Sequence, residues 1–137
     1  GIRGAKQRQL EETIHGDLSC LSLPVRTRLL RLLERAELGV GELAEILRLP
    51  QPTVSNHLRQ LMDRQWVERR REGNARLYQL STKLSKRSRK LWELIRAERD
   101  HEHSEDLDRL THVLAARSAR GGAGPGGRVM SWTSSMP

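Results

Sequence analysis

Residues 40–62 read VGELAEILRLPQPTVSNHLRQLM, and the fold turns on this stretch. Val40, Leu43, Ile46 and Leu47 recur at helical spacing, and so do Val54, Leu58, Leu61 and Met62. Arg48-Leu49-Pro50 separates the two stripes, because the residue before a proline disfavours helical geometry. The second stripe starts at Gln51-Pro52 or near Thr53, with a proline early in the helix, where its missing N–H costs nothing. Two short helices joined by a turn of three or four residues form a helix-turn-helix.

Upstream, Pro24 opens another helix, in which Val25, Leu29, Leu32 and Leu33 make an apolar face. Residues 1–16 are polar, with a helical hint around Gln7–Thr13. Downstream the pattern changes. Trp66–Arg71 and Ala75–Leu80 read as strands, and Glu72-Gly73-Asn74 between them reads as a turn. The result is a β-hairpin carrying arginines directly after the helix pair. Ser81-Thr82 can cap a further helix with Leu84, Leu91, Trp92, Leu94 and Ile95 on its apolar face. Residues 96–106 are nearly all charged, and apolar spacing returns at Leu107, Leu110, Val113 and Leu114. One long helix or two shorter ones fit this segment. Its narrow apolar stripe requires a partner, and the simplest is a second copy of the chain. Leu91, Leu94, Ile95, Leu107, Leu110 and Leu114 are therefore the expected dimer interface.

The expected fold class is mainly α with a small β-hairpin, a winged helix-turn-helix with a long terminal dimerisation helix. Four segments follow: a polar, partly helical 1–16; a DNA-binding domain at 17–95 that includes the start of the last helix; a continuation of that helix at 96–117; and a Gly-rich, disordered tail at 118–137.

Charge points the same way. Residues 51–92 hold eleven Lys/Arg and three Asp/Glu, the equivalent of the chain's whole net charge of +8. So concentrated a basic block is the footprint of a polyanion binder. Gln51, Thr53, Ser55, Asn56, His57 and Arg59 lie off the Val54/Leu58/Leu61 stripe. Amides and arginine read base edges in the major groove, and hydroxyls reach bases or phosphates. Arg69, Arg70, Arg71 and Arg76 on the hairpin would follow the phosphate backbone or enter the minor groove, with Asn74 at the tip. Cys20 is the only cysteine, which excludes an intramolecular disulfide and suits a reducing cytoplasm. No run of eighteen apolar residues would span a membrane, and no signal-peptide core opens the chain. No nucleophile is framed by a base, and Gly121–Gly127 is not a nucleotide-binding fingerprint, so an enzyme is not expected.

Four stretches together resemble the ArsR/SmtB family of bacterial repressors: Leu23–Leu33, Val40–Ala44, Gln51–Leu58 and Arg70–Tyr78. The resemblance covers about residues 17–95. It implies a winged-helix homodimer that binds double-stranded operator DNA and releases it when an effector binds. It also implies that Gln51, Thr53, Ser55, Asn56, His57 and the wing arginines sit at the DNA, and that the first and last helices form the dimer interface. Residues 91–94 and 107–117 resemble, more narrowly, members that precede an S-adenosylmethionine-dependent methyltransferase domain.

Many members of that family sense metals. The thiolates of one arrangement would fall at Gly39 and Gly41, so that site is absent here. A second arrangement pairs carboxylate and histidine on the last helix. His101 and His112 have its separation, and His103 stands nearby, but Arg99 and Ala115 occupy the other ligand positions. No cofactor is expected, nor a metal effector. The expectation is a DNA-binding regulator, a repressor in the manner of the family. Two alternatives stand beside it: the regulatory portion of a truncated methyltransferase fusion, and a winged-helix protein-interaction module that has abandoned DNA.

Overall fold

The computed structural model describes residues 13–98 and 101–120, with the side chains of His101 and Glu102 outside that set. Helix α1 spans Ile14–Leu21, α2 Pro24–Arg35, α3 Val40–Leu47 and α4 Gln51–Asp63. Strands β1, Val67–Glu72, and β2, Ala75–Leu80, follow, then α5, Lys86–Ala97, and α6, His101–Ala119. Residues 7–12 of the helical hint and residues 121–137 of the tail lie outside the described residues, and residues 118 and 119, expected in the disordered tail, instead belong to α6, whose ladder runs on through them. The boundary expected after residue 16 falls inside α1.

Pro24 occupies the first turn of α2, and the following LLRLL run places Leu29, Leu30, Leu32 and Leu33 at the centre of the core, each with at most 1% of its surface exposed. Burial on that scale contributes roughly 1.5–3 kcal/mol per leucine. Leu43, Ile46, Val54, Leu58, Leu61 and Trp66 pack around them. At the start of α3 the Glu42 carboxylate accepts the Gly39 N–H, a bond that satisfies one of the donors outside the helix ladder.

The turn between α3 and α4 falls at Arg48-Leu49-Pro50 as expected, but its cause differs. Leu49, which precedes Pro50, is not where α3 stops. Arg48 takes the left-handed conformation at φ 57° and ψ 47°, and its N–H bonds to the Ala44 carbonyl. This left-handed closure ends the helix before the proline acts.

The hairpin pairs Val67 with Leu80, Arg69 with Tyr78, Arg70 with Leu77 and Arg71 with Arg76. Gly73, at φ +60°, makes the turn. Leu38 adds a short third edge, exchanging backbone hydrogen bonds with Tyr78 at 3.0 and 2.9 Å. The segment between α2 and α3 is thereby tied to the hairpin.

Two expectations are corrected here. Ser81 and Thr82 do not cap α5. Both hydroxyls and the Thr82 N–H donate to the Glu68 carboxylate at 3.1 Å, and Ser85 is the cap, accepting from the Ser88 N–H. The terminal helix is also two helices rather than a continuation. Glu98 is extended, and the buried Arg31 guanidinium donates to the carbonyls of Ile95 and Glu98. These are end carbonyls that a continuing helix would have used itself. Beyond this point α6 packs on α2 and α3.

Candidate nucleic-acid interface

The polar face of α4 is turned outward. Gln51, Thr53, Asn56 and Arg59 are exposed, while Ser55 and His57 are half-buried. Val54, Leu58 and Leu61 bury the opposite side. The N-terminal turn carries the favourable end of the helix dipole, although the Thr53 and Val54 N–H groups already donate to the Pro50 carbonyl. The sequence indicated this arrangement. It did not indicate His57's neighbour. Its Nδ1 accepts a 3.1 Å hydrogen bond from Arg26 Nε on α2. Burial, and secondarily the Arg26 charge, push the imidazole below its ordinary range, so the ring is held neutral with its acceptor turned inward.

The wing divides its arginines between two faces. Successive residues of a strand point to opposite sides, and directly paired residues share a side. Arg69, Arg71 and Arg76 are exposed and share the face of Val67, Tyr78 and Leu80. Arg70 lies on the other face and is committed there. Its guanidinium donates to both oxygens of Glu37, at 2.5 and 3.1 Å, and to Glu72 at 2.7 Å. The Glu37 hydrogen bond holds Arg70 above the ordinary arginine range against the opposing effect of burial, with Glu72 adding to it. Glu37 is itself buried, at 5% exposure. Arg70, expected at the DNA, is thus a structural cation that ties the wing to the segment before α3. Asn74 is exposed at the hairpin tip. Arg48, exposed on the turn before α4, is a basic residue that the sequence reading passed over.

The expected dimer residues also divide. Leu110 is buried at 4% exposure inside the protomer's own core beside Val113, so it is not a surface residue. A buried ion pair seats its helix: Arg28 meets both Asp106 oxygens at 2.8 Å, and Arg109 adds a 3.0 Å contact to the same carboxylate. Leu91, Ile95, Leu107 and Leu114 are partly buried against the core, whereas Leu94 is 72% exposed. Ile14 and Leu18 on α1 are exposed apolar residues absent from the sequence expectation. Of the histidines, His112 is exposed, with Nδ1 against the Asp108 carbonyl, and His103 is half-buried. The side chain of His101 lies outside the described residues.

A family described as bacterial regulatory protein, arsR family, matches residues 24–68. An arsenical resistance operon repressor of Staphylococcus xylosus is 41% identical over 64 residues, 47% of this chain and 62% of that protein. The family match runs from the start of α2 through the helix-turn-helix to the first residues of β1. Residues 24–68 are thus similar to the arsR family of bacterial regulators.

The solved structures extend the likeness over the wing. The transcriptional repressor BigR from Xylella fastidiosa is 28% identical with a TM-score of 0.54, over 74% of this chain and 99% of that one. The homodimeric winged helix-turn-helix DNA-binding domain Mb0332 from Mycobacterium bovis is 25% identical with a TM-score of 0.55, over 67% and 82%. The fold is a winged helix-turn-helix. The match spans a little under two thirds of the length of the staphylococcal repressor.

Proposed function

We propose that this chain is a DNA-binding transcriptional regulator, a repressor that binds double-stranded operator DNA as a homodimer. The observation that carries the proposal is the joint presentation of an outward polar face on α4 and three unshielded arginines on one face of the wing, in an arsR-family segment. Gln51, Thr53, Asn56 and Arg59 would read base edges from the major groove, with Ser55 at the helix flank. Arg69, Arg71 and Arg76 would neutralise backbone phosphates, with Asn74 beside them. None of this is catalysis. The work is recognition, and its control lies in what changes the spacing of the two recognition helices in a dimer.

The dimer surface would be built from the exposed apolar residues Leu94, Ile14 and Leu18, together with the half-buried Leu91 and Ile95. No described helix is long and apolar enough to cross a membrane. We place the protein in the cytoplasm, where its DNA target would be. With glycine at 39 and 41, we assign no thiolate metal effector.

The test is a fluorescence-anisotropy titration against DNA from the gene's own upstream region and against random DNA. It is run at two salt concentrations, with zinc or with a chelator. Site-selective binding that weakens steeply with salt and ignores zinc supports the proposal. Equally weak binding to both DNAs defeats it.

A further inference from the structure

A polar cavity of about 780 Å³ opens between α1, the C-terminal half of α4 and the start of α5. Its size suits a small metabolite. Four cations line it, Arg26, Arg64, Lys83 and Arg87, against two carboxylates, Asp17 and Asp63. The buried Asp17 is already saturated. Its oxygens accept from Arg64 at 3.0 and 3.3 Å, from Trp66 Nε1 at 3.3 Å and from Arg87 at 3.4 Å.

Arg26 differs from the other two arginines. It is half-buried, and its partners are all neutral: His57 Nδ1, the Cys20 carbonyl and the Cys20 thiol. No carboxylate meets it among the described residues. A guanidinium partly withdrawn from water without a counter-charge carries a desolvation cost that an anion would relieve. The first turn of α5, at Ser85 and Ser88, lines the same cavity and adds the positive end of a twelve-residue helix.

We propose that this cavity binds a small free oxyanion, a compact carboxylate, phosphate or sulfate ligand, with Arg26 as its principal cation and Lys83 at its mouth. This deepens the regulator proposal and rests on it in one respect. Arg26 Nε donates to His57 on α4, so an anion that draws the Arg26 guanidinium away disturbs the helix assigned to DNA. The pocket would thus be an effector site.

The probe is sodium sulfate, titrated into the DNA-free, full-length chain against sodium chloride at matched ionic strength, and followed by amide and arginine Nε NMR. Saturable shifts are expected at Gly16, Cys20, Arg26 and the first turn of α5, with a dissociation constant on the order of millimolar. Arg26→Gln should weaken binding at least about tenfold, as expected for a lost hydrogen bond to a charged group. Lys83→Gln, on an exposed side chain, should weaken it less and serves as the reporter if Arg26→Gln does not fold. Shifts that never saturate, or that persist unchanged in the folded variants, overturn the proposal. So does a DNA titration in which Arg26→Gln lowers the salt slope by about one unit per protomer, since Arg26 would then serve a backbone phosphate. Because the sulfate arm contains no DNA, a chain that binds sulfate but not its upstream DNA keeps the pocket and loses the regulator role.

Discussion

Arg70 and Arg71 are adjacent in sequence and identical in chemistry, and the structure predicts opposite losses from them. Arg70→Ala leaves the Glu37 carboxylate, 5% exposed, without its bidentate partner. Breaking a buried pair from one side costs roughly 3–5 kcal/mol. The Arg70 side chain is 29% exposed, so water reaches part of the pair and reduces the expected loss below that range, to about 2–3 kcal/mol. For a domain of this size that is a fall in Tm on the order of 10 °C. Arg71→Ala breaks no hydrogen bond or ion pair among the described residues and should leave stability within about 0.5 kcal/mol. Its effect should appear in DNA binding, where the slope of log affinity against log salt falls by about one unit per protomer. Urea denaturation and anisotropy at several salt concentrations measure both quantities on the same preparations. A Glu37→Gln variant completes the cycle, because it keeps an acceptor and removes the charge, and should be milder than Arg70→Ala. If Arg70→Ala is as stable as the parent and changes the salt slope as Arg71→Ala does, the division of the wing into a DNA face and a structural face is wrong.

Burial and the Arg26 charge hold His57 below its ordinary 6.5. The folded state therefore binds fewer protons than the unfolded one below that pH. The His57 contribution to stability is complete above about pH 6.5 and is lost as the pH falls toward the folded value; His57→Gln should flatten the stability profile between about pH 5 and 7.5 relative to the parent. Burial raises the Cys20 thiol above 9.0, with Arg26 and Arg64 opposing. Iodoacetamide at pH 8 should accordingly alkylate it at least about tenfold more slowly in the native chain than in urea, and equal rates would contradict the burial. Asp106→Ala removes the bidentate acceptor of Arg28 and a partner of Arg109, and should cost roughly 3–5 kcal/mol in urea denaturation, whereas His112→Ala on the exposed side of the same helix should cost less than about 0.5.

Local pattern made the helix-turn-helix and the hairpin legible. The stripes at 40–47 and 54–62 differ from their surroundings in period, and Gly73 marks the only turn the two strands need. The split of the wing arginines was also within reach. Alternation outward from the buried Val67 puts 69 and 71 on one side and 70 on the other. What alternation could not supply was Glu37, which lies 33 residues away and meets Arg70 only because Leu38 pairs with Tyr78. The same limit applies to Arg28 and Asp106, 78 residues apart. In sequence Asp106 sits in a charged run that reads as solvated surface, yet it is 2% exposed. Charge composition does not say which members of such a run the fold will pair.

The placement of α6 changes what a second copy of this chain can meet. A stripe of leucines on a terminal helix invites assignment to a dimer seam, but here the stripe faces inward. Leu110 and Val113 are buried, Arg109 donates to the Ile46 carbonyl at the end of α3, and Arg117 binds the Glu42 carboxylate and the Glu37 carbonyl. Glu42 also receives the Gly39 N–H, and the Glu37 side chain holds Arg70. The helix therefore supports the start of α3 and, through residue 37, the wing. Its apolar face is spent within the protomer, which leaves the large exposed apolar side chains on α1 and α5 as the surface where a second copy would bury the most area. A Leu94→Glu substitution should then weaken self-association without unfolding the protomer, whereas the same change at Leu110 should unfold it. Sedimentation equilibrium and circular dichroism on the two variants separate these outcomes. A folded Leu110→Glu chain that dissociates would return α6 to the seam.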